Sequence, residues 1–193
     1  MVFVADPAMA PPDTSVVYAC PGDKSDGEKS WRQVLLDYNR NEPDNPLQLM
    51  SAWRLYSHAV YERLVTHCGV NNVYILSAGW GLISASFLTP DYDITFSSSA
   101  DGYKRRAPEE RWGDFNMLRD ATREPVVFFG GKAYLPLFAR LTAAIRAKRT
   151  VFYNSKVKPD VPGCELRLFK TTRRTNWQYE CASAFIEGTV TAG

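Results

Sequence analysis

The chain of 193 residues has no apolar run near the ~20 residues that a transmembrane helix needs. It also lacks a CxxC pair. Its four cysteines, Cys20, Cys68, Cys164 and Cys181, lie far apart, and although His67 adjoins Cys68 no zinc-ligand pattern joins the cysteines to the histidines. Such spacing argues against a disulfide framework or a zinc site and fits reduced thiols in a cytoplasm. Only two histidines occur, His58 and His67, nine positions apart, which is not the i, i+4 spacing of a metal pair on one helix face. No Walker loop, no GxGxxG after a strand, no GxSxG and no HExxH is present. Chemistry here falls to carboxylates, amides, lysines and hydroxyls, and no metal or organic cofactor is called for. The segment Met1 to Pro12 has no basic n-region, so it does not read as a signal peptide. Its prolines suggest a loose arm over residues 1–14, ahead of one α/β domain over 15–193.

What is present is ordinary for a globular chain: 45% apolar and 23% charged residues. The net charge of +2 hides an asymmetry. Residues 1–99 carry 6 Lys+Arg against 11 Asp+Glu, whereas residues 100–193 carry 17 against 10. Ten basic residues lie between Arg140 and Gln178, with only Asp160 and Glu165 to oppose them. Such a block predicts a polyanionic partner.

Strands are expected at Ser15 to Cys20, Val73 to Ala78, Val126 to Phe129, Val151 to Tyr153 and Glu165 to Phe169. Helices are expected at Trp31 to Asn39, Leu49 to Cys68, Pro108 to Asp120, Tyr134 to Lys148 and Trp177 to Phe185. A Gly-rich turn, Gly79-Trp80-Gly81, follows the second strand, and the stretch after it to about Gly102 reads as irregular, with a short strand near Ile94 to Phe96. Alternating strands and helices predict a central, largely parallel sheet flanked by helices. Ligands of such sheets bind beyond the carboxyl ends of the strands. Four segments qualify: Pro21 to Lys24, Ala78 to Leu82, Gly130 to Tyr134, and Asn154 to Lys158.

The segment LSAGWGLISASFLTPDYDITF, residues 76–96, is the richest. Ser77 ends a strand, and Gly79 and Gly81 would let backbone approach a ligand. Trp80, Phe87 and Tyr92 offer surfaces on which a base can stack. Asp91 and Asp93 follow Pro90, which favours a turn that aims carboxylates. Asn154 offers a donor and an acceptor, as reading a nucleobase edge requires, though a turn residue is the plain alternative. Lys132, Lys156 and Lys158 suit phosphate, and Gly130-Gly131 resembles an anion nest.

YILSAGWGLI followed by LTPDYDITF resembles the core motif of the YaaA-type peroxide-stress proteins and their smaller relatives. Those families carry a strand ending in LSA or LSG, then GLL or GLI, then a PY or PYD element. YACPGDK is similar to the Cys-x-x-x-Lys start of the smaller relatives, here Cys20 and Lys24, and FFGGKAYLPLF is similar to their later strand and turn. The resemblance spans about Val16 to Leu141. It departs where Asp91 intervenes between Pro90 and Tyr92.

The resemblance implies DNA-related work, and in some relatives an association with modified bases and phage defence. The expected activity is a DNA glycosylase that flips a modified base, such as a glucosylated hydroxymethyl base of phage DNA, and hydrolyses its N-glycosidic bond. A carboxylate below the sugar would stabilise oxocarbenium character and activate water. Asp91 is the first choice for that carboxylate and Asp93 the second. Asn154 would hold the base, Ser77, Trp80 and Tyr92 would line its pocket, and Lys132, Lys156, Lys158, Arg173 and Arg174 would grip phosphates. The alternatives are a noncatalytic DNA-binding protein of the same type and a nucleoside or base-exchange enzyme.

Overall fold

Val2–Val4 forms strand β1, the middle strand of a three-stranded parallel sheet. It is flanked by β2 (Tyr18–Ala19) and β7 (Tyr92–Asp93). Phe3 and Val4 are buried at 2% and 0% exposure, so this part of the expected loose arm is instead core, while residues 11–13 are exposed. The prolines that suggested an arm act only after this strand, where Pro7 opens a short 3-10 turn capped by Asp6. The computed structural model describes residues 1–13 and 15–192. Thr14, the end of the expected arm, lies outside them.

Helix α1 (Trp31–Asn41) begins where the sequence placed it. Ser30 and Gln33 close a reciprocal capping box that satisfies two otherwise orphaned amides. The helix expected from Leu49 to Cys68 is divided. Its first part is β3 (Met50–Ser51) and a 3-10 turn, and only α2 (Val60–Cys68) is α-helical. The amides of Ala52 and Trp53 donate to the carbonyls of Phe87 and Ala85, at 2.8 and 3.2 Å. Tertiary pairing thus overrides the helical spacing of Trp53, Tyr56, Val60 and Leu64.

Strand β4 (Tyr74–Ser77) turns directly into β5 (Gly81–Ser84), its antiparallel partner, in a stretch expected to be irregular. Gly81 has φ +94, and a Cβ there would meet the Phe115 backbone at 2.5 Å, so only glycine fits. β6 (Leu88–Thr89) pairs with β3, and β8 (Phe115–Asn116) runs parallel to β5. The helix expected over Pro108 to Asp120 is absent. Phe115 and Met117 donate instead to the carbonyls of Trp80 and Leu82, at 2.8 and 2.9 Å.

The third part is parallel: β9 (Val126–Phe128), β10 (Arg149–Tyr153) and β11 (Glu165–Leu168), in the order β11-β10-β9. Helix α3 (Leu135–Leu141) stops seven residues short of the expected Lys148. Thr142 ends it, turning its hydroxyl back to the Phe138 carbonyl and receiving a guanidinium N–H of buried Arg149. Helix α4 (Trp177–Ile186) closes the chain against α2. The architecture is α/β and mostly parallel, and the described residues form four small sheets in place of one central sheet. Its main core gathers Phe3, Trp80, Ile83, Phe87 and Leu137, and a second apolar cluster around Phe128 and Val151 meets it at Leu76 and Tyr134.

Candidate functional site

Two depressions sit at the carboxyl ends of parallel strands. The first follows β7. It has a volume of about 220 Å³ and is lined by Tyr56, Asp91, Tyr92, Asp93, Thr95 and Tyr134, with Leu55 and Ile94. The hydroxyls of Tyr56 and Tyr92 are hydrogen-bonded to each other. Burial, foremost, lifts the phenols of Tyr56, Tyr92 and Tyr134 above their ordinary range, so all three stay protonated. They can therefore donate hydrogen bonds at any physiological pH. Asp93 is ion-paired with Lys104 at 2.8 Å. Asp91 is exposed and, among the described residues, has no ion pair. The cleft thus offers one free carboxylate beside fixed phenols.

The second depression, of about 350 Å³, follows β10 and β11. Asn154, Lys156, Lys158, Lys170 and Thr171 line it, and no carboxylate does. Asn154 and Asp91 therefore do not share a pocket: no residue lines both depressions. The Asn154 amide nitrogen donates to the Arg173 carbonyl at 3.2 Å, which ties this loop to the segment before α4. Lys132 is exposed on the 3-10 turn that leads to Tyr134, and Arg174 is exposed and without an ion pair among the described residues.

Two expected pocket residues belong to the core. Trp80 is 0% exposed, stacked near Phe115 and edge-on to Phe3, so no base can reach it. Ser77 is 1% exposed, and its hydroxyl accepts the amides of Gly79 and Trp80 at 3.1 and 3.0 Å. Gly79 and Gly81 do not approach a ligand either, being covered by Ile94 and Tyr92 and by Phe115. The Gly130-Gly131 nest is absent, because neither residue takes a positive φ; Gly130 makes room for the Phe128 ring instead. The basic block is also thinner than its count. Arg149 is buried, Arg140 pairs with Asp114, and Lys148 and Arg167 pair with Glu165.

Sequence reasoning missed the arginines that build the turn between β4 and β5. Arg32 and Arg106 are 6% and 2% exposed. Arg106 donates to the Ala78 carbonyl at 2.7 Å, and Arg32 to the Gly79 and Trp80 carbonyls. Three successive carbonyls of a buried turn are thereby satisfied. Burial, followed by the charge of Arg106, draws the Arg32 guanidinium down to about 10, against the opposing pull of Asp114. Arg32 lies over the rings of Trp80 and Phe115, at 5.6 Å from each. The only signal in the sequence was indirect: buried carbonyls in a glycine-rich turn need donors.

Among the described residues no cluster of three His, Cys, Asp or Glu side chains could hold a metal, and no helix is long and apolar enough to cross a membrane. No family model, curated protein or solved structure matches the chain.

Proposed function

We propose that the protein is a DNA glycosylase that releases a modified base, acting in the cytoplasm on phage DNA. The observation that carries this reading is the cleft after β7, where the unpaired Asp91 carboxylate stands beside the phenols of Tyr56, Tyr92 and Tyr134. A flipped base can stack on tyrosine faces and take hydrogen bonds from hydroxyls that stay protonated. As the N-glycosidic bond breaks, its electron pair leaves with the base and the sugar gains oxocarbenium character. Asp91 stabilises that charge and takes a proton from the attacking water. Asp93, neutralised by Lys104, is the weaker candidate for that role. The free lysines of the second depression and exposed Arg173 and Arg174 supply phosphate contacts. The resemblance of residues 74–96 to the YaaA-type proteins belongs to the same proposal.

A second reading, a noncatalytic DNA-binding protein, is favoured by one observation: Asn154 lies apart from the Asp91 cleft. The deciding experiment incubates the protein with unmodified and phage-modified DNA and then cleaves abasic sites with alkali. Strand breaks from the wild type, reduced about 10²–10³-fold in single-turnover rate by Asp91→Ala, support the glycosylase. DNA binding without strand breaks supports the second reading.

A further inference from the structure

The most exposed large apolar side chain in the described structure is Val157, at 77%. It stands between Lys156 and Lys158, at the rim of the depression that follows β10 and β11. Leu168, 50% exposed, forms part of that depression's wall. Lys170 faces the same space. None of these three lysines makes an ion pair among the described residues. Of the nearby acids, Glu180 accepts from Thr171 at 2.7 Å and lies 3.7 Å from Arg173, and exposed Asp160 does not line the depression.

The loop that carries Val157 is held in place. The Ser155 hydroxyl donates to the Val157 carbonyl at 2.5 Å, closing a tight turn. Asn154 ties the loop base to Arg173, and Pro159 restricts Lys158 to extended conformations. Single exposed apolar side chains are common on protein surfaces; what distinguishes Val157 is its place in a braced turn between two lysines that make no ion pair among the described residues.

We propose that the loop Asn154 to Lys158 is a wedge that enters the base stack of DNA, with Val157 as the inserted side chain and Lys156, Lys158 and Lys170 on the flanking phosphates. This rests on the reading of the protein as DNA-directed. Apolar wedges of this kind unstack a base step, and the cost is offset by added backbone contacts. Charge complementarity names the partner: three cations without an ion pair among the described residues line the depression beside Val157, and the lining holds no carboxylate. An anionic membrane fits less well, because a surface that lies in lipid presents an apolar stripe along a helix rather than one valine on a loop. The wedge also gives the separate depression a purpose. It would open the duplex while the tyrosine cleft receives the extruded base.

The test uses the full chain and a short duplex carrying one 2-aminopurine, whose emission rises when it is unstacked. Wild-type protein is expected to raise the emission on binding. Val157→Ser, at an exposed position that the fold does not need, is expected to lose that rise and to bind about tenfold more weakly. Lys158→Gln is expected to bind more weakly with a salt slope lower by about one contact, yet to keep the rise at saturation. Binding without an emission rise, or a rise that survives Val157→Ser, overturns the wedge and leaves the DNA reading standing. Failure of the wild type to bind DNA overturns both. Binding to vesicles of equal phosphatidylserine and phosphatidylcholine, in place of DNA, overturns both in favour of a membrane surface.

Discussion

Arg106 and Asp114 form a two-pronged ion pair, at 2.7 and 2.8 Å, with side chains 0% and 4% exposed. Asp114 also accepts from Arg140 at 2.7 Å, and Arg106 donates to the carbonyls of Ala78 and Glu110. One carboxylate therefore fixes the cation that braces the turn behind Tyr92. Truncating one partner of such a pair strands the other charge in the core. Asp114→Ala is expected to lower stability by about 3–5 kcal/mol in urea unfolding, and the double variant Arg106→Met, Asp114→Leu by less. A single variant within experimental error of the wild type would remove the pair from any account of this turn.

The same carboxylate gives a pH dependence. Burial pushes the Asp114 carboxyl up, but the hydrogen bonds and charge of Arg106, with Arg32 and Arg140, outweigh it and hold the group below its ordinary range. A depressed acid stabilises the fold above its unfolded value of about 3.9 and loses that contribution as pH falls through the lower folded value. Unfolding free energy should thus fall below about pH 4, and Asp114→Asn should flatten that fall. Glu165 and Asp37 are also lowered, by hydrogen bonds to Lys148 and Arg167 and to Lys29 respectively, but they lie at the surface. Salt should screen their share and leave that of Asp114.

All four thiols are poor nucleophiles in the folded chain. Burial, then the carboxylates of Asp23, Asp6 and Glu110, pushes Cys20 up to about 12 against the opposing charge of Arg32. Its sulfur donates to the carbonyls of Val4 and Ala5. Cys181 is pushed up to about 12 by burial and Glu180, and burial raises Cys68 and Cys164. Iodoacetamide at pH 8 should label the native protein slowly, and intact mass should show four adducts in urea. Rapid single labelling of the native chain would point to a reactive Cys20 and an unforeseen role for the YACPGDK segment.

The parallel strands β9 to β11 and helices α1 and α4 were legible because their cues are local, short apolar runs bounded by turn residues for the strands and contiguous stretches for the helices. The β4–β5 hairpin was not. Its turn contains Trp80, which reads as an exposed aromatic, and its geometry depends on Arg32 and Arg106, respectively 48 and 28 residues from the carbonyls they cap. The missing helix over Pro108 to Asp120 has the same origin, since the Asp114 carboxylate and the Glu110 main-chain carbonyl accept from Arg106 and Arg140. Asp91, Tyr92 and Asp93 share one depression, a grouping legible because they are consecutive along the chain behind Pro90. Tyr56 and Tyr134 come from distant segments and left no sign of joining them.

The last expectation concerns the basic block, whose members separate by burial. Arg173 is 69% exposed and only loosely paired with Glu180, at 3.7 Å, and Arg174 is exposed and unpaired among the described residues. Arg149 is 8% exposed and spends its guanidinium on Thr142, Pro162 and Gly163. Reversing both exposed arginines to glutamate should weaken DNA binding across sequences. It should also lower the slope of log affinity against log salt by about one contact per arginine, with unchanged thermal stability. Arg149→Gln should do the reverse: it leaves Thr142 and two carbonyls without a donor, so melting falls while the salt slope of the folded fraction holds. Fluorescence anisotropy over a salt series, paired with thermal melts, measures both. An unchanged slope in the double reversal would move the DNA surface away from α4 and onto Lys156, Lys158 and Lys170 alone.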